Sequence, residues 1–301
     1  MAKILCICLS STIQRTVSFK NLKLENVNRS THYRQDASGK AVNSARVLSQ
    51  LEKGCVKCIC PLGEKNKDLF LELAQKDFLD VEYVTIPGFT RECWTLLDGC
   101  NNSTTEIVVG EPLFDQDIKK CEKKLISIAE KNIKKSDAVL IAGSRPAYFS
   151  NDVISTLAKI TKDNNKILLA DYHGTDLNET LKICTPDIVK INEEEFLETF
   201  GYDSSMKESD LIKAVSEKSI KYKNIFVITR GTESTVASDN GVCKECPVEK
   251  LKPVNTTACG DSFSAGFIYE YLNSKNIQKS LVKGTWCAAR NAERETPGTI
   301  V

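Results

Sequence analysis

Apolar and polar positions along this 301-residue chain switch between two periods. Short apolar runs over 3–8, 56–60, 138–142, 166–170, 188–191, 224–229 and 235–238 read as strands. Between them, apolar positions three and four apart mark helices over 43–51, 67–76, 115–131, 151–163, 209–217, 261–273 and 278–295. Strand and helix alternate, which predicts a mostly parallel sheet covered by helices on both faces. Two segments, 11–35 and 90–109, break this rhythm. They are β-rich or polar and lack helical periodicity.

Composition changes this picture little. The net charge is +1, and acids and bases are interleaved, so we expect no nucleic-acid surface. There is no apolar run of membrane-spanning length. The start, Met1-Ala2-Lys3-Ile4-Leu5-Cys6, reads as a first strand rather than a signal peptide, so we expect a soluble cytoplasmic protein without a membrane partner. Thirteen cysteines, an odd number, then imply reduced thiols. Cys55, Cys58 and Cys60, with Cys243 and Cys246, have spacings that a zinc site could use. Alternation favours core packing instead, with Cys58 and Cys60 on one strand face and Cys55 on the other.

The chemistry concentrates in Asn255-Thr256-Thr257-Ala258-Cys259-Gly260-Asp261-Ser262-Phe263-Ser264-Ala265-Gly266-Phe267. Small residues lead into a helical pattern, so the loop becomes a helix N-terminus. Such an end offers unpaired amides and partial positive charge to an anion. Asp261 falls in the first turn, where its carboxylate can act as a base on a hydroxyl beside a bound phosphate. Cys259 sits where a thiol pKa tends to fall, which predicts oxidation sensitivity.

This segment resembles the C-terminal signature of the ribokinase-like (PfkB) sugar kinases, D-T-x-G-A-G-D-x-F-x-x-G-F. Asn255, Ala258 and Cys259 depart from it. Upstream, Ser38-Gly39-Lys40-Ala41-Val42-Asn43 resembles the family's sugar-binding G-G-K-G-x-N, with Ser38 and Ala41 replacing glycines. The Asn43 amide offers a polyol both donor and acceptor. Asn192 and Glu195 match the N-x-x-E element that organises magnesium and phosphate through water. The run 226–231, ending in Thr229, Arg230 and Gly231, resembles the strand leading to the nucleotide, and Gly143-Ser144-Arg145-Pro146 the turn beside the substrate.

The resemblance implies an α/β fold, a ribokinase-like three-layer α/β/α sandwich with a small β-sheet lid. Residues 1–10, 36–89 and 110–301 would form the nucleotide- and substrate-binding core, and 11–35 with 90–109 the lid. That lid often pairs with the lid of a second subunit, giving a homodimer. The cofactors implied are ATP and Mg2+. The amides of Ala258, Cys259 and Gly260 would hold the developing phosphoryl charge, while Thr229, Gly231 and Asn291 border the nucleotide. Glu195 would hold the metal through water.

Within the family the chain is similar to the 1-phosphofructokinase and tagatose-6-phosphate kinase branch. Val27-Asn28-Arg29, Thr90-Arg91, Thr104-Thr105-Glu106 and the stretch 38–48 carry that likeness. A hexose-phosphate substrate is therefore expected, clamped by Arg29, Lys40 and Arg91. Gln14 stands where the branch has an acid that binds a sugar hydroxyl, and Arg145 adds a cation. Two alternatives stay open: a kinase of an unphosphorylated sugar or nucleoside, and a degenerate sugar-phosphate sensor.

Overall fold

The computed structural model describes residues 2–109 and 118–301. Its main sheet has nine strands. In chain order these are β1 (Ile4–Ile7), β4 (Val56–Gly63), β5 (Val81–Ile86), β8 (Ala138–Ala142), β9 (Ile167–Asp171), β10 (Ile188–Asn192), β11 (Ile225–Arg230), β12 (Glu233–Asp239) and β13 (Val242–Cys246). Their spatial order is β13-β12-β11-β10-β9-β8-β1-β4-β5. Every pairing from β11 to β5 is parallel, and β12 and β13 add antiparallel at one edge.

Alternation along the central strands builds two separate cores, which makes the molecule three-layered. Along β1 and the two residues that follow it, Ile4, Cys6 and Cys8 enter one core, beneath helices α1 (Lys40–Leu51), α2 (Lys67–Lys76), α8 (Cys259–Ser274) and α9 (Ile277–Ala292). Leu5, Ile7 and Leu9 enter the other, against α3 (Lys119–Ile133), α4 (Val153–Asp163), α5 (Gly174–Ile183), α6 (Glu193–Phe200) and α7 (Glu208–Tyr222). Cys58 and Cys60 share the first core as expected. Cys55 does too, contrary to the expectation, because it precedes β4 and is not bound by its alternation.

The two segments that break the helical rhythm supply a second, four-stranded sheet. Its order is β3 (His32–Ser38), β2 (Thr12–Phe19), β6 (Arg91–Asp98), β7 (Ser103–Val108). β3 runs on to Ser38 before α1 begins, so the sheet takes three residues that the sequence assigned to the core. Of the helix expected over 115–131, residues 115–117 lie outside the described residues; the helix found is α3, Lys119–Ile133. The apolar pattern missed β5, β13, α5 and α6. Among the described residues no helix is long and apolar enough to cross a membrane.

Candidate active site

Parallel sheets place their ligands beyond the carboxyl ends of the strands. Here those ends carry Asp171 on β9, Asn192 on β10 and Thr229 on β11, and the N-termini of α1 and α8 face them. The lid closes the other side with Thr12, Gln14, Arg91 and Glu106. Between them lies a cavity of about 840 Å³.

Asp261 forms its floor, 6% exposed, in the first turn of α8. Its Oδ2 accepts from Asn43 Nδ2 at 2.8 Å. Burial pushes the carboxyl up to about 6, and the nearby Asp171 carboxylate adds to this, while Lys40, Asn43 and Lys190 oppose it. A carboxyl of that pKa is ionised near neutrality yet close enough to 7 to accept a proton.

The loop before α8 is held from behind. Asn255, where the family signature has an acid, accepts from Thr257 N at 3.0 Å and donates to Glu295 O at 2.9 Å. A carboxylate could make the first bond only. Ala258 caps α8 at φ 65°, ψ 13°, a left-handed conformation in which its Cβ is strained. The helical ladder starts with Ser262 N donating to Ala258 O, so the Gly260 and Asp261 amides precede it. Cys259 N donates to Thr256 O at 3.2 Å, which turns that amide into its own loop and corrects its expected place facing an anion. Burial pushes the Cys259 thiol up, only partly offset by the Asn291 amide, so the low pKa expected at a helix N-terminus is not found.

Asn291 also lies elsewhere than expected. It is fully buried; its Nδ2 donates to Thr257 O and Cys259 Sγ, and its Oδ1 accepts from Gly298 N. It braces the loop and does not line the cavity. Thr229, Gly231, Asn192 and Glu195 do line it.

Two lysines and two acids form an ion cluster on one wall. Lys40 Nζ lies 3.1 Å from Glu195 Oε1 and 3.6 Å from Asp171 Oδ1. Burial works against the Lys40 charge, but Asp171, Glu195 and Asp261 outweigh it and raise its pKa. Lys190 Nζ lies 3.2 Å from Asp171 Oδ2, which also accepts from Ser264 Oγ at 2.6 Å. Asp171 is wholly buried, yet Lys190, Lys40 and Ser264 hold it below the usual carboxylate range. Sequence reasoning assigned no role to Asp171 or Lys190. Their signal was available: a Lys inside the apolar run Ile188-Val189-Lys190-Ile191, and an Asp just past a strand.

Asn192 and Glu195 form a capping box on α6, with Glu195 N donating to Asn192 Oδ1 at 2.7 Å and Asn192 N to Glu195 Oε2 at 2.9 Å. Gly39 caps α1 at φ 121°, where a Cβ would meet Cys8 Sγ at 2.7 Å and Ser10 O at 2.9 Å. Arg91 lines the cavity and donates to Thr12 Oγ1 at 2.8 Å; Gln14 donates to Thr95 Oγ1 at 2.6 Å. Arg29 is exposed on another part of the lid, beside Lys20, His32, Tyr33 and Trp94, because the turn between β2 and β3 carries it away from the cavity. Ser144 is exposed and outside the cavity lining. Its neighbour Arg145 pairs with Asp176 at 3.0 Å, so that cation is committed to α5.

A doubly covered α/β sheet, a lid, and a helix-borne carboxylate facing lysines are the parts that phosphoryl transfer to an alcohol would need. The chain belongs to the pfkB family of carbohydrate kinases, whose profile it matches over residues 2–300. A tagatose-6-phosphate kinase of Staphylococcus epidermidis is 24% identical over 298 residues, covering 99% of this chain and 94% of that protein. Phosphofructokinase-2 of Escherichia coli, solved in complex with fructose-6-phosphate, gives a TM-score of 0.86 at 17% identity, covering 97% of this chain and 94% of that one. A Thermotoga maritima protein described as a possible 1-phosphofructokinase gives 0.85 at 17% identity, covering 98% and 93%. The ribokinase-like fold is thereby established, and kinases of this family take ATP as phosphate donor.

Proposed function

We propose that this kinase transfers the γ-phosphoryl group of ATP to a hydroxyl of a hexose phosphate, with Asp261 as the base. The observation that carries this is the Asp261 carboxyl itself. It is buried at the N-terminus of α8, with its pKa near 6, among Lys40, Lys190 and the Gly260 and Asp261 amides. Asp261 takes the hydroxyl proton, and those amides and ammonium groups stabilise charge on the transferred group.

Arg91, on the lid face of the cavity, is the cation we assign to the substrate's existing phosphate. The similarity to a tagatose-6-phosphate kinase supports that assignment. The placement of Arg29 outside the cavity favours a second reading, a kinase for an uncharged sugar.

Glu195 fits magnesium held through water. Oε1 already accepts from Lys40 and Oε2 from Asn192 N, so neither oxygen is left as an unshared direct ligand. Bound Mg2+ would neutralise the phosphate oxygens of the nucleotide. The outer face of the lid, with Arg29, Tyr33 and Trp94, is the surface we assign to pairing with a second copy.

The test is sugar-dependent ADP release across hexose phosphates, free sugars and nucleosides. Turnover confined to hexose phosphates supports the reading. Turnover on uncharged alcohols alone supports the second one.

A further inference from the structure

Asn43 is the only side chain whose hydrogen bond to the Asp261 carboxylate is seen among the described residues, and its own orientation is fixed by other groups. An amide can be rotated so that either its oxygen or its nitrogen faces a neighbour. Only the nitrogen can donate to Asp261. Two donors converge on the Asn43 oxygen: Ser38 Oγ at 3.0 Å and Arg46 Nη1 at 3.2 Å. A flipped amide would set its N–H groups against both of them and turn its oxygen toward a carboxylate.

Arg46 is built into this position. It is 1% exposed and heads the order of large fully buried side chains. Its Nε pairs with Asp77 Oδ2 at 2.7 Å, its Nη1 also donates to Pro297 O at 3.0 Å, and its Nη2 donates to Ala37 O. The C-terminal segment closes over it: Gly298, at φ 68°, lies so near that a Cβ would come within 2.8 Å of the Asn43 Cβ. Ser38 is one of the residues that depart from the family's glycine motif. Its hydroxyl serves the amide that faces the base.

We infer that Ser38 and Arg46 are positioning residues that lock the Asn43 amide with its nitrogen toward Asp261. The inference rests on Asp261 being the base. The lock has a chemical consequence. A donor held on the carboxylate favours its ionised form. It therefore opposes burial and the Asp171 charge from β9, alongside Lys40 of α1 and Lys190 of β10, which also face Asp261. It also spends Asn43. Its oxygen carries two donors and one N–H is taken, so Asn43 can offer a sugar its second N–H rather than the donor and acceptor expected from sequence.

The experiment compares Ser38→Ala, Arg46→Lys and Asn43→Ala with the parent, alone and combined. The readouts are the pH profile of turnover, the KM for ATP, and the Asp261 carboxyl titration by carboxyl-13C NMR. Ser38→Ala removes one oxygen and should leave the fold intact. We expect it to lower kcat about three- to tenfold, leave the ATP KM within twofold, and move the Asp261 titration to higher pH. Arg46→Lys should do the same more strongly. In an Asn43→Ala background both effects should vanish, because the amide they orient is gone.

An unmoved Asp261 titration in Ser38→Ala overturns the inference. So does a loss that persists in full without Asn43. Should Arg46→Lys fail to fold, the Ser38→Ala result decides alone. Asp261→Asn separates the two ideas: retained turnover there sinks the base assignment, whereas a dead Asp261→Asn with a silent Ser38→Ala sinks only the lock.

Discussion

The Thr257 hydroxyl donates to Glu106 Oε1 across 2.9 Å, joining the loop before α8 to the lid. The two residues are 151 positions apart, and each lines the cavity. This bond ties the lid to the loop before α8 at the cavity wall. Glu106→Ala should lower kcat/KM for the sugar about three- to tenfold, the worth of a partly solvated charge-assisted bond. Glu106→Gln, which keeps an acceptor, should recover most of this. Equal losses in the two variants would show that charge in the cavity, rather than the bond, matters.

The raised pKa of Asp261 gives two effects of opposite sign. For catalysis the base must be ionised, so kcat/KM should fall about tenfold per pH unit below about 6 and level off above it. For stability the direction reverses. The ordinary value is 3.8 and the folded one about 6, so the folded chain binds the proton more tightly and loses stability as pH rises through that window. Asp261→Asn should thus unfold at an equal or higher temperature near pH 7.5. The gain is at most roughly 2–3 kcal/mol, since the lost charge also frees the Asn43 donor. A marked fall in Tm would mean that the ionised carboxylate stabilises the fold.

Ala258 holds a left-handed conformation that glycine adopts without cost. Ala258→Gly should stabilise the protein by about 1 kcal/mol, offset in part by the freer unfolded chain. Turnover should hold or rise. A drop in both would show that the Cβ packs against something useful in the complex.

Arg91 and Arg29 separate by position. Arg91→Ala should raise the KM for a hexose phosphate roughly tenfold to a hundredfold, leaving that for ATP unchanged. Arg29 lies apart from the cavity, so Arg29→Ala should leave both within about twofold. A rise for Arg29→Ala that depends on protein concentration would bring Arg29 to the site from a second copy.

Most of the sheet was legible because buried parallel strands are continuous apolar runs. β1, β8, β9, β10 and β11 were found within a residue or two. β5 was missed because Val81-Glu82-Tyr83 carries a charge among its apolar residues, and β13 because Val242-Cys243-Lys244-Glu245 is a polar edge. Local motifs singled out Asn192, Glu195, Thr229, Gly231 and Asp261, which line one cavity, but the capping box between Asn192 and Glu195 emerges only in the structure. The site was not legible where partners are distant in sequence. Asp171 meets Lys40, Lys190 and Ser264 only through the fold, and Asn291 sits in a helix whose buried face gives no sign that it braces a loop 34 residues away.

The most direct test of the account is single-turnover phosphoryl transfer from ATP to a hexose phosphate, parent against Asp261→Asn. The account predicts that the variant binds ATP as the parent does and transfers the group about a hundredfold more slowly or worse. Transfer at a near-parent rate by a pure preparation of Asp261→Asn would contradict it.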